Sequence, residues 1–312
     1  MAHKFPLPKT NVTAKLSRFA QTAITVALLL NVWANPLLAA DPFRSNQQRN
    51  IGNNTVAAFN AIFQQGNYQA AEKLVQDAVS KEPNEPLAYA MKASLAYTNQ
   101  DWGTLDTYSE KTLDAAKRLI PTDPLRGNLY AAVGHFLEGG LILVRQGTVN
   151  GAPQALSRLR QVYEHFDRAE AVSKDDPELN LLKGYMDLMI AVNLPFASPQ
   201  QAIQRLEKSG SPQYLVDRGI AIAYRDLKNY PQALEYVDRA IKSTSENPEL
   251  HYLKAQIQRA QAQKQKNTQL MKEAVSNFDK ALAKKSQLPQ NLVKQIERER
   301  GNAQASITSM GK

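Results

Sequence analysis

The chain has 312 residues, of which 43% are hydrophobic and 21% are charged, and its formal net charge is +9. It contains no cysteine, which excludes disulfides, thiol nucleophiles, cysteine metal sites and a lipoprotein anchor. These values are typical of an ordinary soluble protein with one sizeable folded region.

Residues 1–40 have the parts of a secretory signal peptide. Four basic residues and no acidic residue belong to this stretch, whose apolar run from Ala20 to Trp33 is followed by a proline and by small residues up to Ala40. We expect cleavage after Ala40, export through the general secretory route, and a soluble product in the periplasm or thylakoid lumen. The alternative is an uncleaved single-span anchor, for which the run is short because a bilayer core needs about 20 residues.

The positive charge is concentrated at the C-terminal end. From His251 onward there are 12 basic and 4 acidic residues, whereas residues 41–250 are slightly acidic. This end admits three interpretations: a solvated surface, a contact with anionic lipid headgroups, or a site for an acidic protein. Nucleic acid is not expected, because the leader predicts export and no aromatic residues interleave with the basic ones.

Residues 217–240 predict two short amphipathic helices joined by a tight turn. Ala221 lies in the first helix and Ala233 and Ala240 in the second, where small side chains let helices touch. Tyr224 and Tyr230 flank the turn. A unit of this kind cannot bury its apolar face alone, so it predicts similar neighbours.

Such neighbours recur along the chain. Tyr68 starts a second helix with alanines at matching positions, Ala71 and Ala78, and Trp102 takes the place of Tyr68 after 34 residues, with Ala93 at the small site of the preceding helix. The same small-residue spacing returns with Ala274, Phe278 and Ala281.

Prolines preceded by capping side chains mark further helix starts. The capping residues are Asp123, Asp176, Ser198, Ser211 and Asn247. These marks divide the chain into about six helix pairs. In the irregular third pair we expect a long helix over residues 125–145, a loop over 146–153 and a second helix from residue 154.

This pattern resembles the tetratricopeptide repeat (TPR), a 34-residue helix–turn–helix unit, most specifically in the first, fifth and sixth pairs. The resemblance implies an all-α fold: a right-handed α-solenoid over residues 55–288, with a capping helix and tail over 289–312. Residues 41–54, rich in Asn and Gln, are expected to be flexible. The layout also loosely resembles exported TPR proteins of cyanobacteria, a likeness that bears on localisation alone.

In this family the first helix of each pair lines a concave groove. Position by position, the resemblance places in that groove Asn60, Phe63, Ser94, Tyr97, Arg218, Ile222 and Arg225. We expect the groove to bind a peptide or protein partner. Arg218 and Arg225 lie two turns apart on one helix face, so they would form a fork for carboxylates of an acidic partner unless neighbouring acids neutralise them. Val56 replaces the lysine of the chaperone clamp, so that clamp is absent.

No pattern predicts catalysis or a cofactor. The chain lacks paired metal-ligand motifs, the lysine end of a phosphate loop and a nucleophile elbow. His135 and Glu138 could share a metal, but a hydrogen bond along one helix face is the favoured interpretation, and the glycines of residues 134–140 favour close helix packing.

We therefore predict a non-catalytic scaffold, without metal or cofactor, that binds a protein partner and supports envelope or lumenal assembly. The alternative is a structural protein of the membrane surface, docked through its basic C-terminal end. The identity of the partner and the oligomeric state do not follow from the sequence.

Overall fold

The computed structural model describes residues 41–193 and 198–310, so the expected signal peptide lies outside the described residues. Within them the chain is all-helical, as predicted. The helices are α1 (Asn53–Phe63), α2 (Tyr68–Lys81), α3 (Pro86–Thr98), α4 (Trp102–Leu119), α5 (Pro124–Asn150), α6 (Ala152–Val172), α7 (Pro177–Asn193), α8 (Pro199–Ser209), α9 (Gln213–Asp226), α10 (Tyr230–Ser243), α11 (Pro248–Gln265), α12 (Thr268–Leu282) and α13 (Gln290–Met310), with a 3₁₀ turn at Lys285–Gln287.

Consecutive helices pack in pairs, from α1 with α2 to α11 with α12, and α13 packs on the last pair. The alanines predicted at helix crossings are completely buried: Ala71, Ala78, Ala93, Ala221, Ala233, Ala240, Ala274 and Ala281. Small side chains at these points let the helix axes approach closely, because a larger side chain would overfill the contact. The predicted register of the repeats is confirmed.

The third pair departs from the expected boundaries. Helix α5 is broken by a kink at Gly147, and helical structure resumes up to Asn150 before α6 begins at Ala152, so the predicted eight-residue loop is wrong. The chain turns through Gly147, which has φ +76°, a value that glycine adopts without a steric penalty. The predicted close packing is confirmed at Gly134, where an added Cβ would lie 2.5 Å from Cγ of Leu113.

Three of the five predicted caps are confirmed. The side chains of Asp123, Asp176 and Asn247 each accept a hydrogen bond, at 3.0 Å, from a backbone N–H two or three residues further on. Ser198 makes no capping hydrogen bond. Ser211 precedes a cis proline, and α9 begins only after that proline, so the predicted cap at Ser211 is wrong.

The sixth pair lies against the first. The Tyr68 hydroxyl donates to Oε1 of Glu249 at 2.8 Å, and Nδ2 of Asn247 donates to the carbonyl oxygen of Phe63 at 3.3 Å. Gly66, between α1 and α2, leaves no room for a side chain, because a Cβ there would lie 2.7 Å from Oδ1 of Asn247. The beginning of α11 therefore sits on the turn of the first pair.

The C-terminal helix continues this contact onto the second pair. Nδ2 of Asn291, at the start of α13, donates to the carbonyl oxygen of Thr98, at the end of α3, at 2.5 Å. The 3₁₀ turn Lys285–Gln287 packs on α2. The sixth pair and the C-terminal helix therefore contact the first and second pairs of the solenoid.

Candidate functional site

The surface lined by the first helices of the pairs, here the inner face, contains the residues that the family resemblance singles out. Three of them are buried: Phe63, Ser94 and Arg218, with exposed fractions of 5%, 0% and 6%. Four are partly exposed: Asn60, Tyr97, Ile222 and Arg225. The inner face therefore does not present one continuous open groove.

Phe63 and Ser94 belong to the packing of the first two pairs. The ring of Phe63 meets that of Phe59 edge-on, with 5.5 Å between centroids. The Ser94 hydroxyl donates to the carbonyl oxygen of Ala90 at 2.9 Å, within its own helix. Both side chains are buried.

Residues 41–52, here called the arm, are packed against the solenoid, so the expectation of a flexible segment is wrong for them. Phe43 and Ile51 have exposed fractions of 3% and 1%, and the Phe43 ring meets Phe59 edge-on at 4.8 Å. The Asp41 carboxylate accepts hydrogen bonds from the backbone N–H groups of Phe43 (2.8 Å) and Arg49 (3.0 Å). Two apolar anchors and one internal carboxylate order a stretch whose average composition is polar.

The arm also supplies two arginines to the inner face. Arg44 pairs with Asp176 and lies 3.5 Å from Glu178. Arg49 pairs with Asp176 and with Glu178, at 3.2 Å each, and its Nε lies 3.5 Å from Asp123. Both arginines therefore meet carboxylates at the start of α7, about 130 residues away along the chain, and Arg49 also reaches Asp123 at the start of α5.

A buried charge network joins the first helices of the second, third and fourth pairs. Arg126 donates to both carboxylate oxygens of Glu85, at 2.9 and 3.1 Å, and through Nε to Glu178 at 3.2 Å. The Tyr130 hydroxyl donates to Glu178 at 2.6 Å. Burial alone would raise the pKa of Glu178, but the guanidinium groups of Arg126 and Arg44 outweigh burial and hold that pKa below its ordinary value.

The alternation of sign continues into the fifth and sixth pairs. Nη1 of Arg218, on α9, donates to Oε2 of Glu249, on α11, at 3.0 Å. Glu249 also accepts from Tyr68, so one carboxylate ties the sixth pair to both the fifth and the first. Five successive first helices thus present Glu85, Arg126, Glu178, Arg218 and Glu249, here called the ladder.

The two-arginine fork is not formed, because Arg218 is a member of the ladder. Of the two alternatives left open by the sequence, neutralisation applies to Arg218, although the neutralising acid is Glu249 and not its neighbour Asp217, which pairs with Arg239 at 2.8 Å. Arg225 remains partly exposed, with 26% of its side chain accessible.

Arg225 belongs to a polar surface that joins α9, α11 and α13. We call it the C-terminal patch; it comprises Ile222, Arg225, Gln256, Arg259 and Gln295. Arg225 donates to Gln256 at 2.9 Å, and Arg259 lies 3.2 Å from Glu299. Nε of Arg259 is buried and has no hydrogen-bond partner in the described part of the chain.

Two histidines, His135 and His165, pack against each other within the third helix pair. His135 lies 3.2 Å from Glu138, as the favoured interpretation predicts, and stacks on His165 with 5.5 Å between centroids. Burial, and then the neighbouring His135 and Arg168, lower the pKa of His165 to about 4.

Within residues 41–193 and 198–310, no group of three or more His, Cys, Asp and Glu side chains could hold a metal ion. In that same range, no helix has both the length and the apolar character of a membrane span.

Comparison with known families agrees with the observed repeats. A family model described as tetratricopeptide repeat matches residues 56–104 and 218–289, which cover the first pair and part of the second, and most of the fifth and sixth. Together with the paired helices and their buried alanines, this match defines an α-solenoid of interaction repeats. Residues 56–104 and 218–289 match tetratricopeptide repeats, and the all-helical paired architecture supports assignment to that superfamily. No curated protein matches it significantly.

The arm and the ladder were not predicted from the sequence. A weak signal for the arm exists: Phe43 and Ile51 are the large apolar residues of an otherwise polar stretch. The ladder has a clearer signal, since Glu85, Arg126, Glu178 and Glu249 all lie at or near the first turn of a first helix.

Proposed function

We propose that the protein is an exported, non-catalytic scaffold of the periplasm or thylakoid lumen that binds a protein partner through the C-terminal patch. Tetratricopeptide repeats are protein-interaction scaffolds in general, and the solenoid of paired helices supports that class. The observation that supports the patch is the partial exposure of the charged Arg225 beside Ile222, while Phe63, Ser94 and Arg218 are buried. Asn60 and Tyr97 are also partly exposed but carry no charge.

The chemistry of the patch favours a partner segment that carries carboxylates. Arg225 contacts Asp226 at 2.9 Å and Arg259 contacts Glu299, and a carboxylate from a partner could replace the exposed Asp226 on Arg225. Arg259 has one buried N–H group without an acceptor. Bidentate carboxylate binding is the geometry that a guanidinium group suits best.

Affinity capture from the exporting cell, followed by mass spectrometry, tests this proposal. The unmodified chain and the control Arg298→Ala, an exposed arginine elsewhere on α13, should recover the same partner, whereas Arg225→Ala should lose it without a change in melting temperature. Equal recovery with Arg225→Ala would exclude the patch. N-terminal sequencing of the exported form should begin at Asp41; an intact Met1 terminus in the membrane fraction would contradict cleavage.

A second candidate function is docking on an anionic membrane through the basic C-terminal end. Its support is a set of exposed basic residues without an ion pair in the described part of the chain: Lys266, Lys272, Lys280, Lys285, Lys294 and Arg298. Co-sedimentation with phosphatidylglycerol vesicles should then be strong at low salt and collapse at high salt, because added salt screens exposed charges. Binding that is insensitive to salt, or absent at low salt, would exclude this candidate.

A further inference from the structure

The arm occupies the inner face in the way that a bound peptide would. Between its anchors it has no regular secondary structure, and residues 45–48 are exposed. Its contacts with the solenoid are concentrated in one aromatic side chain, Phe43, and two guanidinium groups, those of Arg44 and Arg49. These three side chains enter a pocket formed by Phe59, Asp123, Asp176 and Glu178, here called the acidic pocket.

The charges of the solenoid itself favour a cationic occupant there. Without the arm, this region contains four carboxylates and one guanidinium group. The carboxylates are those of Glu85, Asp123, Asp176 and Glu178, and the guanidinium group is that of Arg126. With the arm in place, Glu178 is fully buried and Asp176 is 7% exposed, and buried carboxylates of this kind are stabilised by positively charged partners. Arg126 is already engaged with Glu85 and Glu178, which leaves Asp176 to the arm.

The solenoid does not need the arm to begin its first helix. The orphan backbone N–H groups of Asn54 and Thr55 donate to the Glu82 carboxylate at 2.8 and 2.9 Å, so the cap of α1 comes from the end of α2. The cap of α1 is therefore independent of residues 43–49, and Ile51, next to α1, is buried in the core.

We propose that the acidic pocket is a peptide-binding site for a basic segment in which an aromatic residue directly precedes an arginine, and that residues 43–49 occupy it as an internal ligand. A second arginine five positions after the first completes the ligand, because Arg49 reaches Asp123, Asp176 and Glu178 together. A partner segment with this chemistry binds by displacing the arm. The acidic pocket is separate from the C-terminal patch, so the failure of one proposal leaves the other intact.

The test uses the full chain with a weakened arm, Phe43→Ala with Arg44→Ala, and a fluorescent peptide with the sequence of residues 41–52. The variant should bind this peptide saturably in fluorescence anisotropy. The unmodified chain should bind it with an affinity at least about tenfold lower, because its own tethered arm competes at an effective concentration in the millimolar range. A control peptide with alanine at the positions of Arg44 and Arg49 should not bind. Adding Asp176→Asn to the variant should abolish binding.

Two outcomes would overturn the proposal. One is a weakened-arm chain with unchanged circular dichroism that does not bind the peptide, or that binds the control peptide equally well. The other comes from hydrogen exchange on the unmodified chain, which also applies if the variant does not fold. The amides of Phe43 and Arg49 should exchange much faster than core amides of α1, because the arm opens on its own. Exchange of all these amides at one common rate would make the arm an inseparable part of the core.

Discussion

The N-terminal and C-terminal halves of the inner face are built from the same helix pairs but differ in access. In the first half, Arg126 and Glu178 are buried under an arm that brings two more arginines. In the second half, Arg225 and Arg259 keep about a quarter of their side chains exposed, and no equivalent segment of the described chain covers them. Repeat packing therefore does not decide whether an inner face is open. The residues at the helix starts, and what they attract, decide it.

The largest expected effect comes from breaking the ladder in the closed half. Glu178→Gln keeps the shape of the side chain but removes the charge shared by Arg126, Arg44 and Arg49, which should lower the free energy of unfolding by about 3–5 kcal/mol. Urea denaturation followed by circular dichroism measures this. The matched control is Glu297→Gln, on the exposed side of α13, and equal midpoints for the two variants would show that the buried network adds nothing.

A smaller loss of stability is expected from a change at the contact between the first and sixth pairs. Tyr68→Phe removes the hydroxyl that donates to Glu249, a bond to a charged group that contributes about 1.5–3 kcal/mol. The control Tyr230→Phe removes a hydroxyl for which the described structure shows no hydrogen bond. If both variants melt at the same temperature, the contact between the first and sixth pairs is not a source of stability.

Packing at the helix crossings should be equally sensitive in both halves. Ala93→Leu in the second pair and Ala240→Leu in the fifth should each destabilise by about 1–3 kcal/mol, because both positions are completely buried. Thermal melts compare them with Ala283→Leu, at an exposed position. An unchanged midpoint for Ala240→Leu would contradict the repeat register.

A pH-dependent term is expected from the third pair. The folded chain depresses the pKa of His165 from 6.5 to about 4, so the contribution of this group is fully present above pH 6.5 and is lost as pH falls toward 4. His165 is only half-buried, which limits the expected loss to roughly 1 kcal/mol.

His165→Gln tests this term, because an amide can still donate to Oδ1 of Asn128 but does not titrate. Unfolding free energies measured between pH 7 and pH 4 should depend less on pH in this variant. His251→Gln, far from the stacked pair, should keep the original slope. A slope unchanged in His165→Gln would assign the pH dependence to other groups.

The smallest expected effect belongs to the open half. Arg225→Ala should change the free energy of unfolding by less than about 0.5 kcal/mol, because the ion pair with Asp226 is partly exposed. Arg218 lies two turns away on the same helix face. Arg218→Ala leaves Glu249 without its guanidinium partner and should lower the free energy of unfolding several times more. Equal losses in denaturation experiments would remove the distinction between the two halves.

The sequence by itself determined the features that depend on nearby residues. Helix pairs, their alanine contacts and the caps at Asp123, Asp176 and Asn247 follow from spacings of a few residues and were predicted. The exceptions were local as well: the third pair turns at Gly147, and α9 begins only after Pro212.

Only the tertiary structure decided which groove positions are accessible. Ser94 and Arg218 occupy the positions that the family resemblance assigns to the groove, yet both are buried. Arg218 is buried because the sixth pair brings Glu249 to it. The same carboxylate accepts a hydrogen bond from Tyr68, which lies 181 positions before Glu249 in the sequence. The arm is ordered by carboxylates that follow it by about 130 residues. Helical periodicity contains no information on such distances, because they depend on how far each pair rotates relative to the last, and that rotation accumulates over five pairs before the coil meets itself.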